Sequence, residues 1–168
     1  MKCVVDTSAI SWLGRIGYLD LLKEIYDKIL APKGVFKQLE GHRKTKGFVK
    51  NGLERIILSP KEEKKFNILI EKWMGWLDWK DITDVEVFVA YCFFSDADEL
   101  LFANKRAENV FGIYGRVRDI MGLYNIAEQK GIFNREDTIK YLEELRRLGY
   151  RREHLTRLIE SLSLFQSQ

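Results

Sequence analysis

Short apolar runs alternate with longer stretches of helical periodicity along most of the chain. Hydrophobic residues recur three or four positions apart at Leu19, Leu22 and Tyr26, which is the spacing of an amphipathic helix. Because parallel strands need helical crossovers, this alternation predicts an α/β fold with a central parallel sheet. The apolar runs of strand length cover residues 3–5, 28–31, 55–58, 99–103 and 113–117.

Beyond residue 117, the sequence pattern predicts helices and no further strand. One helix is capped by Asn134 and stopped by Gly149, and another covers residues 153–164. No linker, repeat or low-complexity tract divides the sequence. We therefore expect one domain, with its main part in residues 1–133 and a helical C-terminal extension in residues 134–168.

Asp6 directly follows the first apolar run. Ser8 is placed to N-cap a helix that begins at Ala9. Ligands and chemistry collect at the carboxyl ends of parallel strands. A carboxylate there can bind a cation, or it can be a solvated residue of a tight turn, and the pattern alone leaves both open.

Two further helix starts carry capping patterns. Ser59 and Glu62 form a capping box around Pro60, and Thr83 with Glu86 predicts a second box. The run at residues 87–94 is apolar almost all round and predicts a buried helix. Between these helices, three tryptophans within residues 73–79 can stack on bases or pack in the core.

Composition indicates a folded domain and excludes few functions. The chain has 168 residues, 46% hydrophobic and 32% charged, with a net charge of +3, which permits a nucleic-acid partner without requiring one. Cys3 and Cys92 lack the spacing of a zinc site. The first residues lack a signal-peptide pattern, and residues 87–94 are too few to span a bilayer. We expect a cytoplasmic protein with no membrane partner.

Acidic residues supply the candidate chemistry. Several follow a strand or stand in the first turn of a helix, where carboxylates can gather at one edge of a parallel sheet. Mg²⁺ and Mn²⁺ prefer such oxygen ligands and can bring phosphate oxygens to a reactive water. The candidates are Asp6, Glu40, Asp81, Asp84, Glu86 and Asp98.

Three segments make the chain resemble the PIN-domain family, the nuclease fold of many toxin–antitoxin toxins and RNA-processing enzymes. They are the opening at residues 4–9, the segment at residues 84–90, and the segment from residue 98 to residue 107. The ending, at residues 117–133 and 141–150, is similar to a PIN subfamily of uncharacterised archaeal and bacterial proteins. The resemblance implies a Rossmann-like three-layer α/β/α domain and hydrolysis of RNA phosphodiesters with Mg²⁺ or Mn²⁺.

The resemblance assigns roles to four residues that retain the family's chemistry. Asp6 matches the first metal-binding acid, and Ser8 matches the polar residue that supports it. Asp84 matches the third acid, with Glu86 as its competitor. The resemblance therefore implies that Asp6 and Asp84 come within reach of one ion, although 78 residues separate them in sequence.

Two other positions depart from the family pattern. Gln38 occupies the place of the second acid, and Glu40 lies two residues further, which turns its side chain by about 200° around a helix. Asn104 stands near the place of the fourth acid and is a neutral ligand at best. Asp98 precedes the strand at residues 99–103 and is expected at its wrong end.

Three functions follow from this pattern. The leading one is a metal-dependent ribonuclease that cuts single-stranded RNA and is toxin-like. The alternative is a degenerate PIN domain that binds RNA or a protein partner, such as an antitoxin, without cutting. A small-molecule α/β enzyme is the third, and the absence of a glycine-rich phosphate loop argues against it. Near an acidic edge, phosphate could be held by Arg43, Lys44, Lys46, Lys50, Lys105, Arg106, Arg116 and Arg118.

The last helix suggests an assembly. Its apolar residues Leu155, Leu158, Ile159 and Leu162 recur at helical spacing. Such a stripe either packs on its own domain or pairs with a second copy. Because PIN-like proteins commonly dimerise, the resemblance implies a homodimer.

Overall fold

The computed structural model describes residues 1–164, so positions 165–168 of the predicted extension lie outside the described residues. Five strands form one sheet in which every paired neighbour is parallel. They are β1 (Lys2–Val5), β2 (Lys28–Ala31), β3 (Glu54–Arg55), β4 (Glu99–Phe102) and β5 (Val117–Asp119). The order across the sheet is β3-β2-β1-β4-β5. Helices flank this sheet, which confirms the α/β, PIN-like three-layer fold.

The described residues also form helices and one 3₁₀ turn at Ile120–Gly122. The helices are α1 (Thr7–Ile16), α2 (Leu19–Ile25), α3 (Lys33–Leu39), α4 (Lys46–Asn51), α5 (Pro60–Leu77), α6 (Ile82–Phe94), α7 (Lys105–Phe111), α8 (Leu123–Gln129), α9 (Arg135–Arg147) and α10 (Arg152–Leu164). Within residues 1–164, no helix is long and apolar enough to cross a membrane.

Contacts divide the chain into two compact units. The first, Met1–Ile120, contains the sheet and the helices α1–α7. Its centre is the apolar pair β1 and β4, where Val4 lies opposite Leu100 and both are fully buried. The second unit begins at Met121 and contains α8–α10, with Tyr141 and Leu155 buried.

Local sequence signals set several helix ends. The predicted capping box at Ser59 and Glu62 is present at the start of α5, and Asn134 caps α9 with Asp137 in a second box. Gly17 ends α1 in the left-handed region, at φ 80°, where a residue without Cβ is least strained. Side-chain oxygens at these ends satisfy backbone N–H groups that have no partner inside the helix.

The structure corrects several predicted elements. The polar stretch at residues 41–51 contains α4, because Phe48 provides a buried anchor. The last strand lies at Val117–Asp119, and Ile113, placed in it by the apolar pattern, is 78% exposed. The sequence pattern also predicts a helix over residues 119–130, but Asp119 belongs to the strand and the helix begins only at Leu123. Short apolar runs do not distinguish a strand from an exposed turn, since pairing decides it.

Candidate functional site

The strand order places a crevice beside β1. The chain runs from β1 through β2 to β3 on one side, then crosses to β4 and β5 on the other. Such a reversal is the usual ligand site of an open parallel sheet, at the carboxyl ends of the two central strands. Asp6 follows β1 there, and Ala103 and Asn104 follow β4.

Asp6 is the N-cap of α1, so the prediction that Ser8 fills this place is wrong. The Asp6 Oδ1 atom accepts a hydrogen bond from the Ala9 N–H at 2.7 Å, and the helix already begins at Thr7. Ser8 instead donates its hydroxyl to Asp6 Oδ2 and accepts from the Ala103 N–H at 3.2 Å. An aspartate reaches the third backbone N–H as well as a serine does, and Asp6 stands where the strand ends. Ser8 thereby joins the ends of β1 and β4.

The pKa of Asp6 is raised from its ordinary value of 3.8 to about 7. Burial is the main cause, since the residue is 2% exposed and water cannot solvate its charge. The hydrogen bonds from Ser8 and Ala9 lower the pKa, while the negative charge of Asp84 raises it. Asp84 thus lies near enough to Asp6 for electrostatic interaction.

Asp84, in the first turn of α6, has a second set of partners. Its Oδ2 atom accepts a hydrogen bond from Trp79 Nε1 at 3.1 Å and lies 3.5 Å from Asn104 Nδ2. Burial and the neighbouring Asp81 raise the pKa of Asp84 to about 6, and the Trp79 hydrogen bond lowers it. Asn104 also caps α7 through its Oδ1 atom, which orients its amide group toward Asp84.

The second predicted capping box is wrong. Asp81 is the N-cap of α6, and its Oδ1 atom accepts from the backbone N–H groups of Thr83 and Asp84 at 2.9 and 3.4 Å. Thr83 is buried, and its hydroxyl oxygen accepts from Gln38 Nε2 at 2.8 Å. Asp81 thus binds the Thr83 N–H that Glu86 would have bound in the predicted box, and the Thr83 hydroxyl becomes available for α3.

Glu86, which the capping prediction assigned to Thr83, lies instead against Gly34. Its Oε2 atom is buried without a hydrogen-bond partner in the described residues. A Cβ atom at position 34 would lie 1.8 Å from Oε2, so only glycine leaves room for the carboxylate there. Burial raises the pKa of Glu86, whereas the Gly34 N–H and the charges of Lys37 and Lys33 lower it. The groups that act on Glu86 include Gly34, Lys37 and Lys33, and its role as a metal ligand stays a prediction.

The other acidic candidates lie elsewhere. Asp98 directly precedes β4 and accepts a hydrogen bond from the Lys2 N–H at 2.7 Å. It therefore lies at the amino end of the strand, away from Asp6, as predicted. Glu40 is the exposed C-cap residue of α3. Gln38, at the place of the family's second acid, reaches the site only through Thr83. The structure therefore brings together Asp6, Asp84, Ser8 and Asn104.

Two of the basic candidates lie at opposite ends of the strands. Arg106, at the start of α7 after β4, places its guanidinium 4.5 Å from the centre of the Trp79 ring. Arg118 instead pairs with buried Glu99 at 2.9 Å, at the beginning of β4. Arg106 thus contacts Trp79, the residue that donates to Asp84, whereas Arg118 is held by Glu99 at the other end of β4.

Trp79 is the site residue that sequence reasoning did not assign. It is 5% exposed, and its indole N–H is committed to Asp84, while Trp76 is 80% exposed. Spacing offers a weak signal, because Trp79 precedes Asp84 by five residues. The left-handed turn at Asp78, which ends α5 and directs the indole back toward α6, is not visible in the pattern.

The arrangement suits a small divalent cation only in part. Mg²⁺ is often held by one or two carboxylates, with waters and substrate phosphate completing its coordination. Asp6 and Asp84 provide two, and their raised pKa values indicate charge that a cation would offset. Within residues 1–164, no three His, Cys, Asp or Glu side chains gather as a metal site.

Fold and site together define a Rossmann-like α/β domain with paired carboxylates at its topological switch point. A family model described as a PIN domain matches residues 2–162, and the chain belongs to the PIN domain family. This membership confirms the resemblance and places the chain in a nuclease-type family. Searches of curated proteins and of solved structures find no match.

Proposed function

We propose that this chain is a metal-dependent ribonuclease that hydrolyses phosphodiester bonds of single-stranded RNA. One observation carries the proposal: hydrogen bonds tie both carboxylates to the end of β4, Asp6 through Ser8 and the Ala103 N–H, and Asp84 through Asn104. Two carboxylates kept close together in a poorly solvated crevice repel each other, which is costly unless a proton or a cation is bound. Family membership supports phosphodiester chemistry at this place.

Asp6 and Asp84 would hold Mg²⁺ or Mn²⁺. Such an ion, when bound, activates water and stabilises the leaving oxygen of a phosphodiester. Ser8 and the Ala9 N–H fix the orientation of Asp6, and the indole N–H of Trp79 fixes Asp84. These hydrogen bonds also keep both carboxylates ionised more readily than burial alone would allow.

Positive side chains beside this pair would hold the RNA backbone. Arg106 rests on the Trp79 ring, and Lys105 precedes it at the start of α7. Both are exposed, so a phosphate can reach them from solvent. Phosphate contacts of this kind position a nucleic acid without reading its sequence.

A second function, binding of RNA or a protein partner without cleavage, is favoured by the replaced acids. Gln38 donates its amide to Thr83, and Asn104 uses its carbonyl oxygen to cap α7. Neither carries the negative charge that most strongly attracts a divalent ion. A toxin-like role, an antitoxin partner, a homodimer and a cytoplasmic location belong to the proposal in either form.

Cleavage of single-stranded RNA across a Mn²⁺ series tests the proposal. We compare the wild type with Asp6→Asn and with the double variant Gln38→Glu/Asn104→Asp, which restores both family acids. We expect activity in the wild type, none in Asp6→Asn, and tighter metal binding with faster cleavage in the double variant.

Two outcomes would decide against cleavage by this chain. Equal activity of the wild type and Asp6→Asn assigns the cleavage to a contaminant. If the double variant binds Mn²⁺ tightly and stays inert, the non-catalytic function is the better explanation.

A further inference from the structure

A cavity of about 590 Å³ opens at the carboxyl ends of β2 and β3. Its walls come from α3, the segment after β3, α5 and α6, all within the first unit. This size lies within the range of roughly 300–1,000 Å³ that small-ligand pockets occupy. Because all strands are parallel, the cavity opens at the same edge of the sheet as Asp6 and Asp84.

Three cationic side chains line this cavity and outnumber its two acids, Glu63 and Glu86. Lys33 and Lys37 stand one helical turn apart on α3, and Arg55 ends β3. Within residues 1–164, none of the three forms an ion pair in the structure. A phosphate group is the ligand that lysine and arginine most readily bind together.

A buried acceptor faces these cations. Glu86 lines the cavity, and Gly34 leaves the space in which its carboxylate sits. The Gly34 N–H already donates to this carboxylate, whereas its Oε2 atom has no hydrogen-bond partner in the described residues. An acceptor without a donor costs free energy, so a further N–H group is favourable there. The amide of Asn67 adds a second hydrogen-bonding group to the lining.

The cavity also has an apolar side. Ile57 is 87% exposed at the cavity, and Phe66 lines the same space. Covering so exposed an aliphatic side chain with the apolar face of a ligand is favourable, because it removes apolar surface from water. The lining therefore combines anion binding, acceptance of N–H groups and contact with an apolar surface.

We propose that this cavity binds one nucleotide of an RNA chain. Lys33, Lys37 and Arg55 hold its phosphate, the base lies on Ile57, and the Glu86 carboxylate accepts from an exocyclic amine. The amine is present on adenine, cytosine and guanine. Uracil offers only its N3–H, which lies between two carbonyl oxygens that a carboxylate repels, so the site discriminates against uridine. The inference rests on the proposed function, because α6 carries both Glu86 and Asp84 and thus places the cavity beside the carboxylate pair.

Calorimetric titration of the full chain with the four ribonucleoside monophosphates, in EDTA, tests this site without cleavage. We expect AMP, CMP and GMP to bind more tightly than UMP. The double variant Lys33→Ala/Lys37→Ala should weaken all of them by about tenfold or more, since each lost phosphate contact is charge-assisted. Lys72→Ala, which removes an exposed lysine of α5 outside the cavity, is the matched control and should bind as the wild type does.

A second variant tests the base contact by itself. Glu86→Gln keeps the shape of the side chain and adds a donor that suits uracil, so the preference over UMP should disappear while UMP binding is retained or improves. A short single-stranded RNA should bind more tightly than its monophosphates, and equal affinity would indicate a free nucleotide and overturn the RNA assignment. The whole inference is overturned if inorganic phosphate binds as tightly as the nucleotides, or if the lysine variant binds them unchanged.

The two proposals fail separately. Loss of nucleotide binding with retained, Asp6-dependent RNA cleavage rejects the cavity alone. Nucleotide binding with the expected base preference, without any cleavage, rejects the nuclease and retains the cavity for the non-catalytic function.

Discussion

Asp6→Asn should stabilise the metal-free protein above neutral pH. Asparagine caps helices about as well as aspartate, so the bond from the Ala9 N–H to position 6 is retained. The amide has no charge to bury, whereas the wild-type carboxylate is 2% exposed and close to Asp84. The substitution therefore removes an unfavourable charge while keeping the shape of the site.

The expected magnitude follows from the pKa of Asp6. Its value is about 7 in the folded protein, against an ordinary value of 3.8. The folded state thus binds this proton more tightly than the unfolded state, and the wild type loses stability as pH rises through that interval. At about 1.4 kcal/mol for each pKa unit, the full loss is about 4 kcal/mol once Asp6 is ionised.

Urea denaturation in EDTA at several pH values measures this difference in the free energy of unfolding. Wild type and Asp6→Asn should have similar stability at about pH 4, and the variant should be more stable by a few kcal/mol at about pH 8. Asp20→Asn, which removes an exposed carboxylate of α2 paired with Lys23, should show little pH-dependent difference. Stability curves of wild type and Asp6→Asn that run parallel from acid to alkaline pH would refute the reasoning. Added Mn²⁺ should stabilise the wild type at high pH and leave the variant unchanged, because only the wild type retains both carboxylates.

Three further predictions address the surroundings of the site. Trp79→Phe removes the N–H that lowers the pKa of Asp84, so the pH at which Mn²⁺ binds should rise, whereas Trp76→Phe at an exposed position should not move it. Phe88→Ala removes a fully buried ring stacked at 4.4 Å on Phe111 and should cost about 3–5 kcal/mol in urea denaturation; a loss below about 1 kcal/mol would contradict the packing. Light scattering at micromolar concentration should show the homodimer, and a monomer there would reject it.

The predicted homodimer depends on a helix that already has a partner. Leu155 and Ile159 of α10 are buried in the single chain, while Leu158 and Leu162 are partly exposed. The neighbour α9 contributes the buried side chains Tyr141, Leu142 and Leu145 to the same unit. Only half of the predicted stripe is therefore open to a second copy.

The elements that depend on contacts between neighbouring residues could be predicted from the sequence. The apolar run at residues 3–5 predicts β1 because it is too short for a helix and is bounded by polar residues. Asp6 follows it directly in sequence and therefore stands at the end of the strand. The capping box at Ser59 and Glu62 forms as predicted, because the apolar residues Ile57 and Leu58 before it offer no competing side-chain acceptor. The apolar stretch of α6 predicts burial, which is found at residues 87–90, whereas residues 91–94 are partly exposed and Phe93 is 48% exposed.

The tertiary structure alone decided which side chains form the site. The bond between Ser8 and Ala103 joins residues 95 positions apart, and the contact between Asn104 and Asp84 joins residues 20 apart. Capping patterns assigned the Thr83 N–H to Glu86, yet Asp81 accepts from that N–H, and Glu86 lies in the space beside Gly34. Where two local partners are equally good, packing decides between them. The strand order β3-β2-β1-β4-β5 brings together segments that are far apart in sequence, so no short stretch of sequence contains all the residues of the site.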